Sequence, residues 1–150
     1  THSNDKILDY HRKKVLAIVK RFESKYSIVV QQTRTKIEFM NFISRSKVVI
    51  CPYGFGERIA TDQFALLSGA ILLKPDCSHM ITKPNIYTND ICTFFSPTCN
   101  DLKNTITTVM NDLSTYQQKS NKGLKLLLEF DDSSIAQICS NNISDLLLSI

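Results

Sequence analysis

The residues best suited to chemistry lie together in Cys51-Pro52-Tyr53-Gly54-Phe55-Gly56-Glu57-Arg58, which holds two of the chain's four glycines one aromatic residue apart. The apolar run Lys47-Val48-Val49-Ile50-Cys51 precedes this stretch, and a segment of helical period follows it from Ile59. Glycines between a strand and a helix let backbone N–H groups turn toward an anion with no Cβ in the way. The helix that follows points its positive end at the same place. Phosphate is the anion that suits such a seat. For an isolated Gly-x-Gly, a tight turn with glycines serving only positive φ is the favoured explanation. The residues around the loop weigh toward a ligand.

Lys74-Pro75-Asp76-Cys77-Ser78-His79 leaves the next apolar run, so its polar side chains belong at the same edge as the glycine loop, with Lys74 and His79 as ligand candidates. Asp62 falls in a first helical turn, where an acidic side chain serves the dipole. Gln31, Gln32 and Thr33 stand just past the strand end at Val30 and are further ligand candidates. The five cysteines are odd in number and scattered, without a Cys-x-x-Cys pair or a histidine at zinc spacing, which fits a reduced, cytoplasmic setting and no metal. Cys51 and Cys139 sit among apolar residues and read as small core fillers.

These groups must be positioned by alternating strands and helices. Ile7, His11, Val15, Ile18, Val19 and Phe22 form one stripe of a helix over residues 5–24. Residues 26–30 are a short β-branched run that reads as a buried strand. A helix over 35–46 turns Ile37, Met40 and Ile43 inward beside Phe39, and strand 47–51 follows. Residues 59–68 read as a helix stopped by Gly69, 70–74 and 91–95 as strands, and 102–113 as a strongly amphipathic helix capped by Asn100 or Asp101. Two more helices are expected over 114–129, where Gly123 is a weak point, and over 133–150. Asp131-Asp132-Ser133 suits the start of the latter. Strands apolar on both faces, alternating with helices, call for a doubly wound parallel α/β sheet with a helical C-terminal region. In such sheets ligands bind beyond the carboxyl ends of the strands.

Ser46-Lys47-Val48-Val49-Ile50, Pro52-Tyr53-Gly54-Phe55-Gly56-Glu57, Asp62, Ala65, Gly69-Ala70-Ile71-Leu72-Leu73-Lys74-Pro75-Asp76 and Ser78-His79 together resemble the carboxyl-terminal half of GT-B glycosyltransferases, with the closest look to group-1-like bacterial and viral enzymes. The likeness is tight over residues 46–87 and architectural elsewhere. It implies a Rossmann-like half that binds a nucleotide-sugar donor as substrate, with no metal or other cofactor. A missing N-terminal domain would hold the acceptor and the catalytic base. It implies donor contacts from Tyr53, Gly54, Phe55, Gly56, Glu57, Arg58, Thr61, Asp62, Lys74 and His79, with Arg58 as the phosphate partner, unless it is a solvated helix-start arginine, and Asp62 accepting hydrogen bonds from ribose or sugar hydroxyls. The pattern departs at Tyr53 and Phe64, where many relatives carry Glu, and at Thr61, where the nearest carry Arg.

The chain of 150 residues has the size of one domain, and a start at Thr1 fits a fragment of a longer two-domain protein. With 43% hydrophobic and 21% charged residues it should fold. No apolar run reaches the roughly 18 to 20 residues that span a bilayer. The net charge of +4 comes partly from His11-Arg12-Lys13-Lys14, which a helix spreads over a solvated face. Without exposed aromatics interleaved, this does not suggest nucleic acid. The expectation is therefore a donor-binding domain of a glycosyltransferase, inactive by itself toward an unknown acceptor. The alternative is a degenerate, non-catalytic donor domain acting as scaffold or nucleotide sensor. A flavodoxin-like or receiver domain fits less well, for it needs a phosphate loop after the first strand or an acidic cluster at the strand ends.

Overall fold

The computed structural model describes residues 6–30, 35–54, 57 and 59–130. The expectations for Gln31, Gln32, Thr33, Phe55, Gly56, Arg58, Cys139 and the helix over 133–150 lie outside these. Among the described residues, five helices and three strands follow in the order α1 (Lys6–Lys20), α2 (Lys36–Ser44), β1 (Val48–Ile50), α3 (Ala60–Leu67), β2 (Ile71–Pro75), β3 (Thr93–Phe95), α4 (Leu102–Asn111) and α5 (Leu113–Glu129). The strands form one parallel sheet in the order β1-β2-β3, with Val49 opposite Leu72 and Leu73 opposite Thr93.

Side chains alternate across the strands, and each face has its own helices. Val48, Ile50, Ile71, Leu73 and Phe95 pack with Val15, Ile18 and Val19 of α1 and with Leu102, Ile106 and Val109 of α4. Val49, Leu72 and Phe94 pack on the opposite face with Ala65 and Leu66 of α3 and Leu126 and Leu127 of α5. The sheet is therefore covered on both sides, as its apolar strands require. Among the described residues no helix is long and apolar enough to cross a membrane.

Local signals set the element ends. Thr35 and Glu38 close a capping box at the start of α2, the Glu38 amide donating to Thr35 Oγ1 at 3.3 Å and the Thr35 amide to Glu38 Oε2 at 3.0 Å. Gly69 ends α3 with φ of 73°, the left-handed stop expected of it. Asp112 rather than Ser114 begins α5, its carboxylate accepting from the Thr115 amide at 3.3 Å.

Three expectations need correction. Residues 27–30 form no strand, and Val29 and Val30 are 52% and 38% exposed. A β-branched run supplies propensity, but only a paired and covered strand gains the burial that stabilises it. Ile37 is exposed because α2 turns Ile43 to the core instead, and Ile7 stands exposed one turn before the buried His11. Gly123 is no weak point. A Cβ there would come within 2.8 Å of Ile91 Cγ2 and 3.0 Å of Leu66 Cδ2, so its bare backbone is what lets α5 approach α3 this closely. One turn earlier the Ser120 hydroxyl donates to the Ala70 carbonyl at 2.7 Å.

Candidate functional site

Because the three strands are parallel, the segments after them emerge at one edge: Cys51 to Gly54, Asp76 to His79 and Ser96 to Cys99. These segments are tied to one another. The Tyr53 hydroxyl donates to the Asp76 carbonyl at 2.8 Å. His79 Nε2 lies 2.9 Å from Glu57 Oε2 across the same gap, the His79 side chain largely exposed and that of Glu57 partly so. The Asp76 carboxylate accepts from the Ser78 amide at 2.9 Å, which holds its carboxyl below the usual carboxylate range. Ser96 and Thr98 share a hydroxyl hydrogen bond at 2.8 Å, and the Ser96 amide donates to Asp101 at the start of α4.

Helix α1 reaches the same edge from the other side of the sheet. Arg12 Nε donates to the Tyr53 carbonyl at 3.0 Å, and the ring of His11 stacks on that of Tyr53 with centroids 5.0 Å apart. His11 Nε2 lies 3.4 Å from Cys99 Sγ, and Cys99 itself adopts a left-handed φ of 60°. Burial, followed by the charge of Lys14, lowers the His11 pKa, so the ring is a neutral wedge. Burial next to Glu57 pushes the Tyr53 phenol up to about 12 and keeps it a donor. Sequence reasoning placed Arg12 on a solvated face. The signal that could have found it is the neighbouring His11, on the core stripe of the same helix.

Beneath this edge lies a second, buried layer. Lys74 Nζ is 2.8 Å from Asp62 Oδ2, and both side chains have zero exposure. The same oxygen accepts from the Tyr87 hydroxyl at 2.9 Å and from the Ile59 amide at 3.3 Å. The Cys51 thiol also meets this carboxylate, and burial first, then the Asp62 charge, raises its pKa well above the ordinary value. Two central candidates are thus brought together, but facing each other. In this arrangement neither Asp62 nor Lys74 has surface to offer a ligand. The positive end of α3 meets an anion from within the chain, since Asp62 stands in its first turn.

Gly54 has a similar internal reason. A Cβ there would collide with Ile59 Cγ2 and would lie 3.6 Å from the Arg12 guanidinium. The glycine is needed for close approach, not for a left-handed φ. Thr61 is half-buried on the first turn of α3. Cys51 is a core residue as expected, and burial likewise pushes the Cys77 and Cys92 thiols up to about 12, which makes them packing groups and not nucleophiles. Among the described residues no cluster of His, Cys, Asp and Glu could hold a metal ion.

Two hollows among the described residues lie away from this edge: one of about 360 Å³ between Thr88, Asp90, Ile91 and the Lys122, Lys125 and Glu129 side of α5, and one of about 280 Å³ between Lys47, Ile71, Leu113 and Gln117 at the opposite end of the strands. Both are shallow, and neither lies at the carboxyl ends of the strands, where parallel α/β sheets take their ligands. No protein-family model matches the chain, and no curated protein or solved structure is significantly similar to it.

Proposed function

We propose that this chain is the donor-binding half of a GT-B-like glycosyltransferase, a doubly wound Rossmann-like unit that seats a nucleotide sugar on the carboxyl edge of its parallel sheet. The observation that supports it most is the convergence of Tyr53, Gly54 and the Asp76 to His79 segment with the Arg12 guanidinium, at the edge where parallel α/β sheets take their ligands. Arg12 and Arg58 would meet the diphosphate, and the Ser78, Ser96 and Thr98 hydroxyls lie within the same edge for the sugar or ribose. The N-terminal half implied by the sequence resemblance would supply the opposite wall of the cleft and the catalytic base. Transfer would then rest on placement and on electrostatic stabilisation of the leaving diphosphate.

The test is an NMR titration of the chain with UDP, GDP and ADP. Amide shifts at Tyr53, Gly54, Ser78 and Ser96 are the expected response. Shifts confined to the hollow beside Lys122, or none with any nucleotide, would contradict this reading.

A second reading, a non-catalytic donor-like domain serving as scaffold or nucleotide sensor, is favoured by one observation. The carboxylate that the resemblance assigns to a donor hydroxyl, Asp62, is closed off by Lys74 and Tyr87. Sugar transfer by the full two-domain protein decides between the two.

A further inference from the structure

A continuous path of contacts runs from the centre of the sheet to the glycine bend. Lys74, on the middle strand, pairs with Asp62 of α3; Asp62 accepts from the amide of Ile59, the residue before that helix; and the Ile59 side chain fills the space a Gly54 Cβ would take. A buried ion pair is a weak source of stability, since desolvating both charges offsets their attraction. Asp62 Oδ1 and the Lys74 ammonium also lack full hydrogen-bond complements in the protein interior. The pair is therefore poorly explained as packing, and an apolar pair of the same size would fill the space as well.

We propose that the Lys74–Asp62 pair is a strap that fixes Ile59, and through its side chain Gly54, against the sheet. Asp62 has the two properties a strap needs. Its charge is anchored by a cation on the central strand, and its oxygen holds the Ile59 backbone amide. Tyr87 completes the anchor from the segment between β2 and β3, its hydroxyl donating to the same oxygen. Asp62 and Lys74 are thus positioning residues for Ile59 and Gly54, whatever ligand this edge takes. A consequence for ligand affinity rests on the nucleotide-binding reading; the ordering of Ile59 and Gly54 does not.

The experiment compares two double variants of the full chain by amide hydrogen exchange and thermal unfolding. Asp62→Leu with Lys74→Met removes the charges and the acceptor. Asp62→Asn with Lys74→Met removes the charges but keeps a carbonyl acceptor for the Ile59 amide. Both should remain folded, with Leu66 and Leu72 amides as protected as in the wild type. The Leu/Met variant is expected to lose about tenfold or more of the protection at Ile59 and Gly54, and the Asn/Met variant to recover much of it. Wild-type protection at Ile59 and Gly54 in the Leu/Met variant would overturn the proposal. So would equal loss at Leu66 and Leu72, which would make the pair a general stability element. If the wild type binds a nucleoside diphosphate, the Leu/Met variant should bind it more weakly by a similar factor. If the wild type binds none, the functional reading fails while the exchange result still decides the strap.

Discussion

Arg12 Nε donates to the carbonyl oxygen of Tyr53 at 3.0 Å, joining the first helix to the loop that leaves the first strand, 41 residues later. The bond brings a guanidinium to within 3.6 Å of the space beside Gly54. It gives the carboxyl edge of the sheet a fixed positive group from outside the loop.

Gly54→Ala should destabilise the protein by about 1–3 kcal/mol, because the added methyl meets the stiff, branched Ile59 side chain. Pairing it with Ile59→Ala should recover part of the loss. Denaturant titration of the two variants checks this, and Gly54→Ala at wild-type stability would show that the bend gives way freely.

Gly123→Ala sets two effects against each other. Alanine gains up to about 1 kcal/mol over glycine in a helix interior, but here its methyl is driven toward Ile91 and Leu66 in the α3–α5 contact. The steric effect should win, with net destabilisation of about 1 kcal/mol.

Lys74→Met alone should be far more damaging than Lys74→Met with Asp62→Leu. The single variant leaves a carboxylate buried without its cation, a loss of about 3–5 kcal/mol, whereas removing both charges is often neutral. Thermal unfolding of the two proteins reads the difference directly.

His11 sets a pH dependence whose sign follows from its lowered pKa. The unfolded chain takes up the imidazole proton more readily than the folded one, so this contribution is complete above the ordinary histidine pKa of about 6.5 and is lost as pH falls through the folded value. Stability should therefore decline as pH falls below about 6.5, at pH values above the range where Asp76 and Asp112 titrate. His11→Gln should flatten that window in a series of unfolding curves.

The thiols of Cys51, Cys77, Cys92 and Cys99 are all buried, with raised pKa values. Under native conditions a thiol reagent at neutral pH should leave these four unmodified, and all four should react once the chain is unfolded in denaturant. Peptide mapping of the labelled protein identifies them.

Much of this architecture is legible in the sequence where periodicity and punctuation agree. The apolar run ending at Cys51, the run from Ala70 to Lys74 and the stop at Gly69 each carry their own signal, and the structure places them as read. Residues 27–30 had the composition of a strand but not the pairing, which depends on neighbours far along the chain. The same holds for Ile37, whose spacing fits a helix face that the fold leaves uncovered. At the site, the polar residues after each strand were readable because strand ends are. The mutual burial of Asp62 and Lys74, and the reach of Arg12 to Tyr53, were not, since each joins residues 12 or 41 positions apart through the folded core.

The most direct test of the nucleotide-sugar reading is calorimetric titration of the chain with UDP, GDP, ADP and their glucose conjugates, at low salt, for wild type and Arg12→Ala. Binding of at least one of them with Kd of about 1 mM or tighter, weakened about tenfold or more by Arg12→Ala in a variant that remains folded, is the predicted result. Absence of heat with every nucleotide, or affinity untouched by the loss of Arg12, would contradict it.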